Sequence, residues 1–157
     1  MTLWWWPAVT KLLLCGLSGA GKTTTGEQLK ALGWTHFDCE ENNLESYGQN
    51  PFQVMPEDRN VVASWGLLPK HLDTVEALTF AGYLPVWLWG ASDRLDNCLR
   101  ERGMSVKHVR EWRASSVCSA QAKALTVVSP VMVLDVFRPD GSRWDVTALL
   151  HDVFWEA

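Results

Sequence analysis

Apolar residues arrive along this chain in short continuous runs, separated by stretches that are apolar only at every third or fourth position. The runs are Lys11 to Cys15, Trp34 to Asp38, Asn60 to Trp65, Leu84 to Trp89 and Val131 to Val136. Each has the length of a strand buried on both faces rather than of a helix. Between them, Gly21 to Leu32, Pro69 to Ala81, Ser92 to about Arg102 and Asp145 to about Phe154 read as helices, with Ser92 as the N-cap of the third. Residues 103–124 read as a more polar helical segment, and the RPDG sequence from Arg138 to Gly141 as a turn. Strands alternating with helices at this spacing predict right-handed crossovers and a five-stranded parallel sheet covered on both faces, a three-layer α/β fold.

One stretch breaks the alternation. CEENNLESYGQNPFQVMPEDR, residues 39–59, carries Asn, Gly and Pro with no sustained period, and is expected to be a loop with one short helix. Long irregular segments inside compact domains are usually functional. No repeat or low-complexity tract divides the chain, so residues 1–157 are expected to form a single domain, with the 103–124 segment as an inserted lid.

Composition narrows the function classes. A formal charge of −4 and a pI near 5.5 argue against a surface for long nucleic acid. No run approaches the ~18 apolar residues of a membrane helix, and the apolar N-terminus lacks the basic residues of an export signal. Cys15, Cys39, Cys98 and Cys118 show no CxxC spacing; they are read as free thiols without zinc, in a cytoplasmic protein. Of the 10 tryptophans, the triplet Trp4-Trp5-Trp6 stands out; it is read as covering a sheet edge, with an oligomer contact such as a homodimer as the alternative.

The specific signal is GLSGAGKTT, Gly16 to Thr24, between a predicted strand and a predicted helix. It satisfies the phosphate-loop pattern. Gly16, Gly19 and Gly21 let the backbone N–H groups of the loop, through Ser18 and Ala20 to Thr24, turn toward a β-phosphate at the positive end of the helix. Lys22 can then reach the β- and γ-phosphates, and the Thr23 hydroxyl can ligate Mg²⁺. The bland reading, a Gly-rich turn that binds nothing, stays as a minor alternative, since the motif follows a strand and precedes a helix as phosphate binding requires.

Residues beyond the loop decide between reaction types. The third strand ends in NVVASWG, without the carboxylate with which motor and switch NTPases hold Mg²⁺, and no guanine-reading NKxD-like motif is present. The acids stand instead at the end of the second strand, where Asp38 and Glu40, two apart, are expected to face the phosphate loop together. There they can hold Mg²⁺ through water or accept the proton of an attacking hydroxyl. Alternatively they are solvated strand-end charges. Arg94, Arg100, Arg102 and Arg110 lie after the fourth strand, on what is either a solvated mixed face or a closing segment that stabilises the charge on a moving phosphoryl group. Arg102 is the first candidate, then Arg100 and Arg110.

With these residues in place, the chain resembles the small P-loop kinases of metabolites: gluconate kinases foremost, then shikimate and adenylylsulfate kinases. GLSGAGKTT is similar to their phosphate loop, FDCEEN to their acidic segment with Cys39 for a Gly, and VVASWGLL to their third strand, with Ser64, Trp65 and Gly66 at the acceptor. PVWLWGASDRLDNCLRERG resembles their lid entry, with Arg102 at a lid-arginine position and Cys98 where a companion arginine stands. Asn43 stands where gluconate kinases have His. The resemblance implies ATP as phosphate donor, Mg²⁺ held by Thr23 and Asp38, and adenine packed beside Arg138 and Pro139.

Arg59 is the only basic residue between Lys30 and Lys70, which disfavours a strongly anionic acceptor while leaving Arg59 as a candidate contact. The expectation is therefore a kinase that moves the γ-phosphate of ATP to a hydroxyl of a small molecule. Two rivals stay open: a P-loop ATPase or nucleotide-dependent regulator acting through a protein partner, and a nucleoside or nucleic-acid-end kinase that stacks a base on Trp65 or Trp89.

Overall fold

The computed structural model describes residues 11–16, 20–47, 50–66, 71–90, 92–103, 105, 107 and 132–154. Trp4 to Trp6, Ser18, Gly19, Arg110, Cys118 and nearly all of the expected lid at 103–124 lie outside these residues.

The described elements are β1 (Lys11–Gly16), α1 (Lys22–Ala31), β2 (Thr35–Asp38), β3 (Val61–Trp65), α2 (Leu72–Phe80), β4 (Leu84–Trp89), α3 (Ser92–Glu101), β5 (Met132–Asp135) and α4 (Val146–Phe154). All five strands run parallel in the order β2-β3-β1-β4-β5. Alternation along each strand separates two cores. On β1, Leu12 and Leu14 face α1, α3 and α4 with Leu29, Leu95, Val146 and Leu150. Leu13 and Cys15 face the opposite layer, where Val75 and Leu78 of α2 meet Phe37, Trp65 and Trp87. Continuous apolar runs such as LLLC are thus explained by burial on both sides, and the three-layer arrangement is as the sequence predicts.

Differences from the sequence reading are local. The 39–59 stretch holds two short 3₁₀ turns, Leu44–Tyr47 and Pro51–Gln53, in place of one helix. Pro51 can begin a turn but gives no N–H to extend one, and no apolar period supports a longer helix. Ser92 is itself the first helical residue of α3 rather than its N-cap.

Topology determines where chemistry can occur. From β1 at the centre of the sheet the chain fills one side with β2 and β3, then the other with β4 and β5. Ligands of open parallel sheets bind at the carboxyl edge beside such a switch point. The carboxyl end of β1 leads into the Gly-rich loop, and those of β2 and β3 end at Asp38 and Trp65.

Candidate active site

Gly16 closes β1 against β4. A Cβ there would lie 2.5 Å from the backbone carbonyl oxygen of Leu88, so only glycine permits this approach. At the other end of the loop, Gly21 has φ +90°, a left-handed conformation that caps the start of α1 and favours glycine. Its neighbour Lys22 opens the helix, and Thr23 and Thr24 follow exposed on the first turn. This is the geometry that aims helix N–H groups at an anion.

Lys22 reaches back under the loop, donating from Nζ to the Gly16 carbonyl at 2.7 Å. Burial holds its ammonium below the usual lysine range; Glu40, then Cys15 and Asp38, pull it back up, and Arg102 pushes it down. The Asp38–Glu40 segment and Arg102 therefore both act on the charge of Lys22.

The two carboxylates are placed differently from a simple strand alternation, because β2 ends at Asp38 and Glu40 lies in the following turn. Asp38 Oδ1 accepts the backbone N–H groups of Glu40 and Glu41, both at 3.0 Å, and so shapes that turn. Glu40 Oε1 accepts the Gly66 N–H at 2.7 Å, joining the end of β2 to the end of β3. A Cβ on Gly66 would stand 2.7 Å from that same oxygen.

The other expected acceptor residues are dispersed. The Ser64 hydroxyl is buried and bonds His36 Nε2 at 2.8 Å, while His36 Nδ1 meets Glu27 Oε1 of α1 at 3.1 Å. Trp65 is 2% exposed and stacks on His71, with ring centroids 4.5 Å apart, so its ring belongs to the α2-side core. Arg59 precedes β3 at the amino edge of the sheet; at ~3.3 Å per residue, the strand itself separates it from Gly66.

On the other flank of α1 opens a cavity of about 860 Å³, lined by Gly21, Thr24, Thr25 and Gln28 of the loop and helix, Cys98 and Arg102 of α3 and its end, and Arg138, Arg143 and Trp144 of the β5–α4 connection. That connection is a hairpin closed by an antiparallel bridge between Phe137 and Arg143. Arg94 pins it, donating to the Arg138 carbonyl at 2.7 Å and the Pro139 carbonyl at 3.1 Å. The Arg138 guanidinium lies 4.7 Å over the Trp144 ring, a flat surface of the kind that packs on a base. Arg100, by contrast, bonds Asn97 locally at 2.9 Å on the exposed side of α3.

Sequence reasoning missed Arg143. Its guanidinium donates to the Ala20 carbonyl at 2.8 Å, lies 3.8 Å from Cys98 Sγ and sits 5.4 Å over the Phe137 ring. The signal was present in the RPDG turn, since a tight turn brings the residues on either side of it face to face. No cluster of three or more His, Cys, Asp or Glu side chains suited to a metal occurs among the described residues. The Thr23 hydroxyl and the Asp38 carboxylate at the loop are oxygen donors of the type Mg²⁺ takes, with water completing its shell.

No protein-family model matches the sequence, and no curated protein matches it. Solved structures do match the fold. A shikimate kinase from Acinetobacter baumannii, crystallised with shikimate, superposes with a TM-score of 0.58 at 16% identity, over 92% of this chain and 93% of that one. The fold is that of the small P-loop kinases. A sugar kinase from Janibacter gives a TM-score of 0.53 at 12% identity over 92% and 94% of the two chains. The protein TT1252 from Thermus thermophilus gives 0.54 at 14% identity over 94% and 99%. No helix among the described residues is long and apolar enough to cross a membrane.

Proposed function

We propose that this chain is an ATP-dependent phosphotransferase that moves the γ-phosphate to a hydroxyl of a small-molecule acceptor. The observation that carries the reading is Lys22 held at the Gly16 carbonyl at 2.7 Å, at the foot of the Gly-rich loop, with Asp38 at the end of β2 and Glu40 on the Gly66 N–H at 2.7 Å and both carboxylates acting on its charge. In this reading the loop amides and Lys22 hold the β- and γ-phosphates. Thr23 and, through water, Asp38 hold Mg²⁺, which neutralises charge on the phosphates when bound. The acceptor approaches from the side of Gly66, where Glu40 turns from its N–H to the incoming hydroxyl, orients it and takes its proton. Arg102 closes over the transferring group. Arg138 and Trp144 flank the adenine, and the chain works as a single cytoplasmic domain.

The scatter of Ser64, Trp65 and Arg59 supports a small acceptor held chiefly by Glu40 and the Gly66 backbone. Burial of the Trp65 ring leaves the exposed Trp89 as the stacking candidate of the nucleoside-kinase alternative. The test is ADP release from Mg·ATP across a panel of hydroxyl-bearing metabolites. A kinase is nearly silent alone and turns over with its acceptor; Glu40→Gln lowers kcat by about 10²-fold or more while ATP still binds. Hydrolysis at the same rate with and without every acceptor contradicts the reading.

A further inference from the structure

The cavity beside α1 contains more positive charge than base recognition needs. Arg102, Arg138 and Arg143 line it against Glu101 and Asp145, and it borders the positive end of α1 at Gly21. Of these, Arg143 bonds the phosphate loop itself, through the Ala20 carbonyl at 2.8 Å. A Cβ placed on Gly21 would lie 2.5 Å from its guanidinium nitrogen, so the group stands directly against the first residue of the helix cap. The hairpin bridge to Phe137 and the cation–π contact at 5.4 Å fix the side chain from behind.

Its position along the binding groove is what assigns a role. Lys22, bonded to the Gly16 carbonyl at 2.7 Å, serves the β- and γ-phosphates. Arg138 and Trp144 form a flat surface in the wall of the cavity. Arg143 lines that same cavity next to Trp144 and bonds the loop at Ala20, so it joins the flat surface to the phosphate loop. A guanidinium is a planar donor fork matched to phosphate oxygens, and a neutral carbonyl is a weaker partner for it than an anion.

We propose that Arg143 binds the α-phosphate of the nucleotide, releasing the Ala20 carbonyl to do so. The proposal rests on the kinase reading of the site and adds a positioning residue to it. Arg143 would fix the point at which the triphosphate leaves the loop for the base, and so the distance between γ-phosphate and Glu40.

Equilibrium binding of ATP and of inorganic pyrophosphate to the full chain and to its Arg143→Gln and Arg143→Lys variants tests this, with thermal melts as a folding control. Pyrophosphate occupies the Lys22 seat without an α-phosphate. Arg143→Gln is expected to weaken ATP by about tenfold to a hundredfold and pyrophosphate by less than about twofold, with Arg143→Lys between wild type and Gln for ATP. An equal loss for both ligands would mean that Arg143 only braces the loop, and no loss for either would mean that it makes no phosphate contact; each overturns the proposal. If the parent chain binds neither ligand, or binds both unchanged after Lys22→Ala, it is the nucleotide site itself that fails.

Discussion

Lys22 is the residue on which the site converges, and its removal should be felt in chemistry more than in folding. Its ammonium is held below the usual range by burial, so Lys22→Ala removes a costly buried charge along with the phosphate contact. The expected result is a kcat reduced by about 10²- to 10³-fold with a melting temperature that does not fall. Gly21 behaves oppositely. At φ +90° an alanine is strained by about 1–2 kcal/mol, and its Cβ displaces Arg143, so Gly21→Ala should lower both the melting temperature and ATP affinity. Cysteines report the same geometry. Cys98 lines the cavity, whereas burial pushes the Cys15 thiol up to about 12 and Cys39 up as well, and both are enclosed. In a Cys118→Ser background, alkylation at pH 8 should reach Cys98 alone and slow when ATP is added, as mass spectrometry of the labelled peptides would show. Labelling of Cys15 or Cys39 at a comparable rate would contradict the packing. The phosphate-loop residues could be read from the sequence because their pattern is local. For Arg143 the RPDG turn signals only the hairpin; its contact with Ala20 spans the chain and depends on how the β5–α4 connection returns to the loop.

At the scale of elements, the packing of α1 on β2 explains a glycine that helix propensity does not. Ala is preferred over Gly in a helix interior by about 1 kcal/mol, yet Gly26 stands mid-helix because the His36 ring occupies the space a Cβ would fill. That ring also links Glu27 of α1 to Ser64 of β3. Gly26→Ala should therefore destabilise the fold by about 1–3 kcal/mol, and His36→Ala should relieve much of that loss in the double variant, read from denaturant midpoints. Simple additivity of the two changes would show that they do not share the space. Strand and helix positions were legible because each buried element carries its own period, as LLLC on β1 and Val75 with Leu78 on α2 demonstrate. The 39–59 segment was not: it has no period, and the turn after Asp38 takes its shape from side-chain-to-backbone bonds that no spacing rule encodes.

For the whole molecule, the pH dependence of stability arises from groups buried in the core on the α2 side of the sheet, together with Lys22. The Cys15 thiol is raised from 9.0 to about 12 by burial, partly offset by Lys22, and burial likewise raises Tyr83 from 10.0 to about 12. The folded chain keeps protons that the unfolded chain releases, so this contribution is complete below pH 9 and is lost as pH rises toward 12. Lys22 runs the other way, its penalty easing as pH climbs toward 10.5. Above pH 9 the melting temperature should fall more steeply in the parent than in Cys15→Ala; parallel curves would show that Cys15 contributes nothing to the loss. In the proposed function, the carboxyl edge that carries the loop and both acids holds a phosphate donor beside an acceptor. Where the γ-phosphate goes is thus the decisive question. Incubation with γ-labelled ATP, Mg²⁺ and pooled small metabolites, followed by separation of the products, answers it directly. Label is expected in a small phosphate ester that does not form with Lys22→Ala; label recovered wholly as inorganic phosphate or on a protein partner would refute transfer to a small acceptor.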